Sequence, residues 1–394
     1  MRSFQRFLVF LVLVSSGVLP TFAFAGDCQS VWVSSNHLII YGSVKDDSLE
    51  LTQSGKDLII QPLAGTRLDG RSQRSNFKIT PGVTVELRLG DGIDSVFAED
   101  IYDVDELIID GGVNFLDQIL EGRVTVERVF ANRLVVQDFD TIRADQLYSN
   151  GQLMLNANTI KVDRVYGDQL VLWGWNVSAF DAAANECVAG PLNNFTQNSF
   201  KLRMDQVDVV DELLIICGGG VILQPEDDIE LHQVNADSLR VETESGNDKV
   251  IVTNGMFYEV EIEMGRSTIS DTVVFGQVHA TELVIDAEDS LSGSFYELTG
   301  EYLDIYNRNG SSTNVKLNEV AMTDEIYIES GNNRSNIFIQ DTDSEYLEVE
   351  FGGGNDLLNI SDSTVDDCEL DGGAGQNTFS SSRFSYKTIK VRNF

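Results

Sequence analysis

From Leu239 onward an apolar-x-apolar pair returns at a nearly fixed interval. Leu239/Val241, Val260/Ile262, Leu283/Ile285, Leu303/Ile305, Ile326/Ile328, Leu347/Val349 and Cys368/Leu370 step by 21, 23, 20, 23, 21 and 21 residues. A second set keeps phase with the first: Val250/Val252, Val273/Phe275, Val315/Leu317, Ile337/Ile339 and Leu358/Ile360. Period-2 alternation marks short strands with one face inward. A unit this short cannot close a core alone, so it must stack on its neighbours. No amphipathic helical pattern lies between the strands. The spacing therefore predicts an all-β, single-domain parallel β-helix or β-roll solenoid of about 13–14 rungs, each of roughly 21–23 residues. At ~4.8 Å per rung the rod is roughly 65 Å long. Its hand is expected to be right, as for parallel crossovers in general.

Earlier segments repeat less evenly. "VTVELRLGDGIDSVFAED", "VDELIIDGGVNFLDQIL", "ANRLVVQDFDTI", "GQLMLNANTIKVDRV" and "DELLIICGGGVIL" read as rungs of drifting length. The stretch 174–200, "GWNVSAFDAAANECVAGPLNNFTQNSF", interrupts the pattern and is expected to be a loop thrown out from one turn. Residues 239–380 carry the most regular rungs. Lys387, Lys390 and Arg392 alternate with Ile389 and Val391, and a charged edge strand discourages end-to-end stacking. "SVWVSS" is expected to help cap the other end.

Arg2 and Arg6 flank an apolar run from Phe7 to Val14, and Ala23-Phe24-Ala25 has a small-x-small pattern. Residues 1–25 thus read as a secretory signal peptide, with the solenoid occupying 26–394. The apolar run is too short for a membrane helix, and no later segment approaches that length. No C-terminal anchoring signal is visible. The mature chain is expected outside the cytoplasm: extracellular, on the cell surface or in the periplasm. Without Arg2 and Arg6, 25 basic residues face 63 acidic ones, a formal charge of −38. Such a surface repels nucleic acid and anionic lipid, and suits cations, solubility or basic partners.

Glycine-rich turns punctuate the repeat. "LDGGAGQNTFS" resembles the repeats-in-toxin, or hemolysin-type, nonapeptide G-G-x-G-x-D-x-apolar-x: Gly372, Gly373, Gly375 and Phe379 match, and Asn377 replaces the aspartate. "FGGGNDLLN" matches at Gly352, Gly354, Asp356 and Leu358, with Phe351 at the first glycine. "LGDGIDSVF" keeps Gly92, Asp94 and Val96, and "SGNDKVI" keeps Gly246, Asp248 and Val250. Gly42, Asp46 and Asp47 resemble a strand pair that opens secreted bacterial repeat proteins. The resemblance covers about a third of the chain. It implies a secreted β-solenoid that binds calcium at glycine turns, although here one turn falls in each rung rather than every nine residues.

Two residues before the second strand of each rung, the sequence aligns Asp94 and then Asp248, Asp271, Thr313, Ser335, Asp356 and Asn377. Neighbouring strands lie ~4.8 Å apart, so adjacent carboxylates there need a cation, a donor or water between them. Two arrangements satisfy the column. One is a polar ladder served by backbone and water. The other is calcium, which takes oxygen ligands, with Asp356 and Asn377 as the first candidate pair and Asp248 with Asp271 as the second.

Cys217 and Cys368 fall at inward parity and read as small buried hydrophobes. Cys187, placed in the expected loop, reaches Cys217 only if that loop folds back. No C-x-x-C pair or His/Cys cluster points to zinc. In "LVLWGWNV", Trp173 and Trp175 share a parity opposite to Leu170 and Leu172. Either the two indoles line up outside, where flat aromatics stack on sugar rings or anchor a protein, or the 176–200 segment covers them. His37, His232 and His279 are scattered, and no nucleophile elbow or phosphate loop appears. The expected function is that of an exported non-catalytic solenoid: a structural, adhesin-like or ligand-binding surface protein whose partner is a polysaccharide or a surface protein. The alternative is a carbohydrate-active β-helix enzyme, a lyase or a hydrolase. It would be marked by a lateral groove that gathers three or more acids with Arg or Lys in contact.

Overall fold

The computed structural model describes residues 27–112, 122–191, 199–217, 226–243, 245–265, 270–307 and 312–394. The expected signal peptide, 1–25, lies outside them. All regular structure among the described residues is strand; together the strands form a β-solenoid of about 13 turns. No helix there is long and apolar enough to cross a membrane.

The repeat in the sequence is the stack in the structure. Leu283 pairs in parallel register with Leu303, Leu303 with Ile326, Ile326 with Leu347, Leu347 with Cys368 and Cys368 with Ile389. One rung explains the rest. Along Asp271–Ala287, Val273 and Phe275 point inward on a first face, Val278 and Ala280 on a second, and Leu283 and Ile285 on a third; all six are buried. Strict alternation would turn Val278 outward if Phe275 faces in. Gln277 removes the conflict by taking positive φ, 57°, which resets the parity and bends the chain. The same corner carries Gln206, Gln233, Asn254, Glu297, Glu319, Asp341 and Asp362 in successive rungs, each left-handed and each polar. A left-handed non-glycine residue costs roughly 1–2 kcal/mol. It persists because backbone bonds to the rungs on either side over-determine it.

A second corner is held from inside. The Asp227 carboxylate accepts the Phe200 N–H at 2.8 Å, Asp248 accepts that of Asp227 at 3.0 Å, and Asp271 that of Asp248 at 3.0 Å. Ser335 Oγ accepts from Thr313 at 3.2 Å, Asp356 from Ser335 at 2.7 Å and Asn377 from Asp356 at 2.9 Å. Asp94 does the same for Asp47 at 2.7 Å. The column aligned from sequence is thus a hydrogen-bond ladder that pairs buried amides where the chain turns and the sheet pattern lapses. Glycine allows the outer turn beside it to close. Gly354 and Gly375 stack on one another with φ of 139° and 141°, and a Cβ on Gly375 would lie 1.4 Å from the Gly354 carbonyl oxygen.

Two expectations need correction. The stretch 174–200 is not an extruded loop: Asn176–Gly190 is a full rung, paired with the strands on both sides. Its inward residues are Val177, Ala179, Ala182, Ala184, Cys187 and Ala189. Alanine buries little area, so the alternation is weak in the sequence although the geometry is regular. Within that stretch only 192–198 falls outside the described residues. Cys187 accordingly stands in the core in register with Leu170 and Leu213, not in a loop that could fold back to Cys217. All four cysteines are buried, and burial pushes the thiols of Cys187 and Cys368 up to about 12. The second correction is to rung length. The left-handed corners at Arg128, Gln146, Arg164 and Asp181 are 18, 18 and 17 residues apart, so these rungs are shorter than 21 because little chain is spent between the third face and the next first face.

The ends differ. At the N-terminal end Asp27–Ser34 and His37–Tyr41 form an antiparallel hairpin, and Asp57–Pro62 pairs antiparallel with both Ser48–Ser54 and Ser75–Lys78. In the last rung Arg383, Lys387 and Lys390 reach back to Asp362, Asp366 and Glu369 of the rung before.

Asp94 is fully buried beside Asp47, and loss of solvent, followed by the charges of Asp47, Asp46 and Asp91, pushes its carboxyl up to about 7. The folded chain therefore holds this proton more tightly than the unfolded one. The stabilisation is complete below about pH 4 and is lost as pH rises through 7. Asp94→Asn, which keeps the ladder acceptor as Asn377 does, is expected to raise the thermal midpoint at pH 8 by a few degrees and change it little at pH 4; an equal loss at both pH values would contradict this account. Gly375→Ala should lower the midpoint at every pH, because neither the backbone angle nor the space admits a Cβ.

Candidate functional site

Four consecutive rungs repeat one hexad: "FAEDIY" from Phe97, "TVERVF" from Thr125, "RADQLY" from Arg143 and "KVDRVY" from Lys161. The second and fifth residues point inward; Ala98/Ile101, Val126/Val129, Ala144/Leu147 and Val162/Val165 are all buried. The fourth, Asp100, Arg128, Gln146 or Arg164, is the left-handed corner. The other positions face outward and, because the rungs stack in register, become columns.

The third position places Glu99, Glu127, Asp145 and Asp163 along the edge of the first face. The first position places Thr125, Arg143 and Lys161 beside them, and the pairing continues the line through Ser178 to Arg203. Thr125, Glu127, Arg143, Asp145, Lys161 and Asp163 line a shallow lateral groove of about 440 Å³. Around the corner the sixth position stacks Tyr102, Phe130, Tyr148 and Tyr166, with ring centroids 5.3, 4.6 and 5.0 Å apart. Phe130 and Tyr148 lie 1° from parallel. Each ring covers its neighbour's face, so the column offers ring edges to solvent rather than flat platforms.

The corner arginines hold the carboxylates. Arg164 Nη2 donates to both oxygens of Asp145, at 2.6 and 2.7 Å, and its Nε lies 3.7 Å from Asp163. Arg128 Nε donates to Asp100 at 2.6 Å and Nη1 lies 3.8 Å from Glu127. Hydrogen bonding by Arg128 and Tyr102 draws Asp100 down to about 2. Asp163 keeps one buried oxygen with no hydrogen-bond partner. Arg143 and Lys161 are exposed and make no ion pair among the described residues, so the groove presents fixed carboxylates on one side and cations on the other.

The residues singled out from sequence lie elsewhere. Trp173 ends the strand Arg123–Trp173 on the third face, its ring against Gly190, and is half-buried. Trp175 is also half-buried but occupies the following corner, where its carbonyl accepts the Lys201 N–H. Shared parity did not give the indoles a shared face, because a corner separates them. Asp248 and Asp271 are neighbours, as are Asp356 and Asn377, yet one side-chain oxygen of each already serves the ladder. Asn377 Nδ2 also donates to the carbonyls of Gly372 and Asn393. Burial raises Asp248 and Asp356, and Asp356 Oδ2 has no partner. Calcium usually takes six to eight oxygens. The side chains of Asp356 and Asn377 leave one oxygen, Asp356 Oδ2, outside the ladder, and no group of three or more His, Cys, Asp or Glu among the described residues is arranged to hold a metal.

The hexad was the signal available in the sequence for this groove. It falls in the stretch whose period is 18, outside the 21-residue register that organises the C-terminal half. No family model matches the chain, and no curated protein and no solved structure matches it.

Proposed function

We propose that this protein is an exported β-solenoid that binds a polysaccharide along its side without cleaving it, at the groove between Thr125 and Asp163. The observation that carries this is the hexad, which repeats carboxylate and aromatic edge from rung to rung at ~4.8 Å, with the cations Arg143 and Lys161 beside them in the last two copies. A periodic surface suits a periodic polymer: the carboxylates accept hydroxyl protons and the aromatic edges pack against apolar ring atoms. The signal-like start of the sequence supports export.

Glycoside cleavage needs one carboxyl kept protonated by an apolar environment. The groove acids are open to water, with side chains of Glu127, Asp145 and Asp163 exposed by 35, 35 and 48%, and Asp145 is clamped by Arg164. One observation favours a hydrolase as second reading. Three acids converge here with Arg143 and Lys161, and Glu127 and Asp163 stand two rungs apart, roughly 9.6 Å, near the upper limit for an inverting pair.

A panel of immobilised neutral and acidic polysaccharides, read by surface binding and by release of reducing or unsaturated ends, tests both. At least one polymer is expected to bind without turnover. Glu127→Gln with Asp163→Asn should weaken it by about tenfold, or ~1.4 kcal/mol, with an unchanged thermal midpoint. Turnover that disappears in that variant would establish the hydrolase instead, and no binding to any polymer would remove the polysaccharide role.

Descent from the repeats-in-toxin type is proposed on the glycine turns alone. Calcium at Asp356 and Asn377 would have to displace ladder bonds, so its effect is expected to be small, no more than about 1.4 kcal/mol at ten times the dissociation constant. Asp356→Asn keeps the acceptor for Ser335 and removes the charge. Any rise in thermal midpoint with about 10 mM calcium, above the range for weak extracellular sites, should vanish in this variant, whose calcium-free midpoint is expected to be no lower than that of the wild type. A rise that survives the substitution places calcium elsewhere.

A further inference from the structure

The chain has 63 acidic and 27 basic residues, and among the described residues several cations are held by two or more carboxylates. Arg240 lies within 3.4 Å of Glu242, Glu261 and Glu263, and Lys249 within 3.0 Å of Asp228 and Glu230. On the corner and third face of the short rungs, Arg128, Arg133 and Arg164 are all paired. The first face differs, on these rungs and on the longer rung Lys201–Ile216. Arg123, Arg143, Lys161, Lys201 and Arg203 are all exposed, and none makes an ion pair among the described residues. The band stops where Lys201 and Arg203 come into register with Asp228 and Glu230, the carboxylates that bind Lys249. Five unpaired cations thus share one face of an otherwise acidic rod, beside the groove.

We infer that the groove takes a polyanionic polysaccharide, whose carboxylate or sulfate groups seat on Arg143, Lys161 and Arg203 with Arg123 and Lys201 flanking. This rests on the polysaccharide role proposed above and names its chemical class. The central column sets cations one and then two rungs apart, roughly 4.8 and 9.6 Å. Between and beside them stand Ser178, Asp145 and Asp163, which interact with hydroxyls. The pattern therefore fits a chain whose charges are spaced out among hydroxyl groups. Duplex DNA, with a charge every ~1.7 Å of axis, would press phosphates against the carboxylate column. The overall negative charge slows approach. At contact the local cations dominate, because charges beyond ~8–10 Å are screened at physiological salt.

The test uses the mature full-length protein in solution with four polymers: polygalacturonate for carboxylate, dextran sulfate for sulfate, neutral dextran, and duplex DNA. Binding to polygalacturonate, to dextran sulfate or to both is expected, the two arms showing which anion is preferred. It should weaken at least tenfold between about 50 and 300 mM salt and at least tenfold in Arg143→Gln/Lys161→Gln/Arg203→Gln. The triple variant should keep the wild-type thermal midpoint, since all three side chains are exposed and unpaired; the wild-type salt dependence is a readout that needs no variant. Binding of neutral dextran as tight as that of the acidic polymers, unchanged by salt and by the triple variant, would overturn the polyanion class while leaving the polysaccharide role standing. Failure of every polysaccharide would overturn both. DNA bound as tightly as the glycans would overturn the glycan class. Salt-sensitive self-association by light scattering, lost in the triple variant and without glycan binding, would assign the band to a second copy of the chain and overturn the inference.

Discussion

Everything in this rod depends on one constraint: between corners, each backbone amide finds its partner in the next rung, in parallel and in register. That constraint converts a sequence position into a column. Leu283, Leu303, Ile326, Leu347 and Cys368 become one wall of the core. The corner residues become a line of left-handed polar side chains. Where the chain leaves the sheet pattern to turn, the amides still need acceptors, and Asp, Ser and Asn side chains of the following rung supply them. A carboxylate in that place is costly because it is buried, and Asn377 shows that a neutral amide does the same work.

The outward columns follow the same rule with different chemistry. The rod is acidic, yet its charges are sorted rather than scattered. Arg128 and Arg164 reach across the corner to carboxylates of their own and adjacent rungs, Arg240 and Lys249 each hold two or more acids, and the last rung turns its lysines and arginine back onto the rung before it. The five cations from Arg123 to Arg203 that make no ion pair among the described residues differ in sharing one face. Arg123, Arg143 and Lys161 lie on rungs that repeat the hexad, and Lys201 and Arg203 continue the same columns on a longer rung. Stacked rings from Tyr102 to Tyr166 stiffen the same stretch from the second face.

The family resemblance and the structure meet only at the glycine turns. Gly354 and Gly375 occupy stacked corners that exclude a side chain, which explains why glycine stands there without invoking a metal. Asp356 and Asn377 act first as backbone acceptors, so their spacing follows from turn geometry.

The sequence by itself determined the all-β class, the parallel stacking and the identity of the core column in residues 239–380, because period-2 alternation and a rung-length repeat leave no other way to bury those side chains. It also marked the polar column from Asp94 to Asn377, though not which groups would satisfy it. It misjudged 174–200, where alanines keep the register but carry too little apolar contrast to reveal it, and it paired Trp173 with Trp175 by parity across a corner that parity cannot detect. The groove was written in the sequence as a hexad with period 18. Its meaning came only from tertiary structure. Glu127, Asp145 and Asp163 share an edge, and Arg143, Lys161 and Arg203 a line, because backbone hydrogen bonds between rungs bring residues 18 or more positions apart to within one or two strand spacings. Whether a cation there is paired or free depends on which way each corner turns its side chain, and that orientation is decided by the stack.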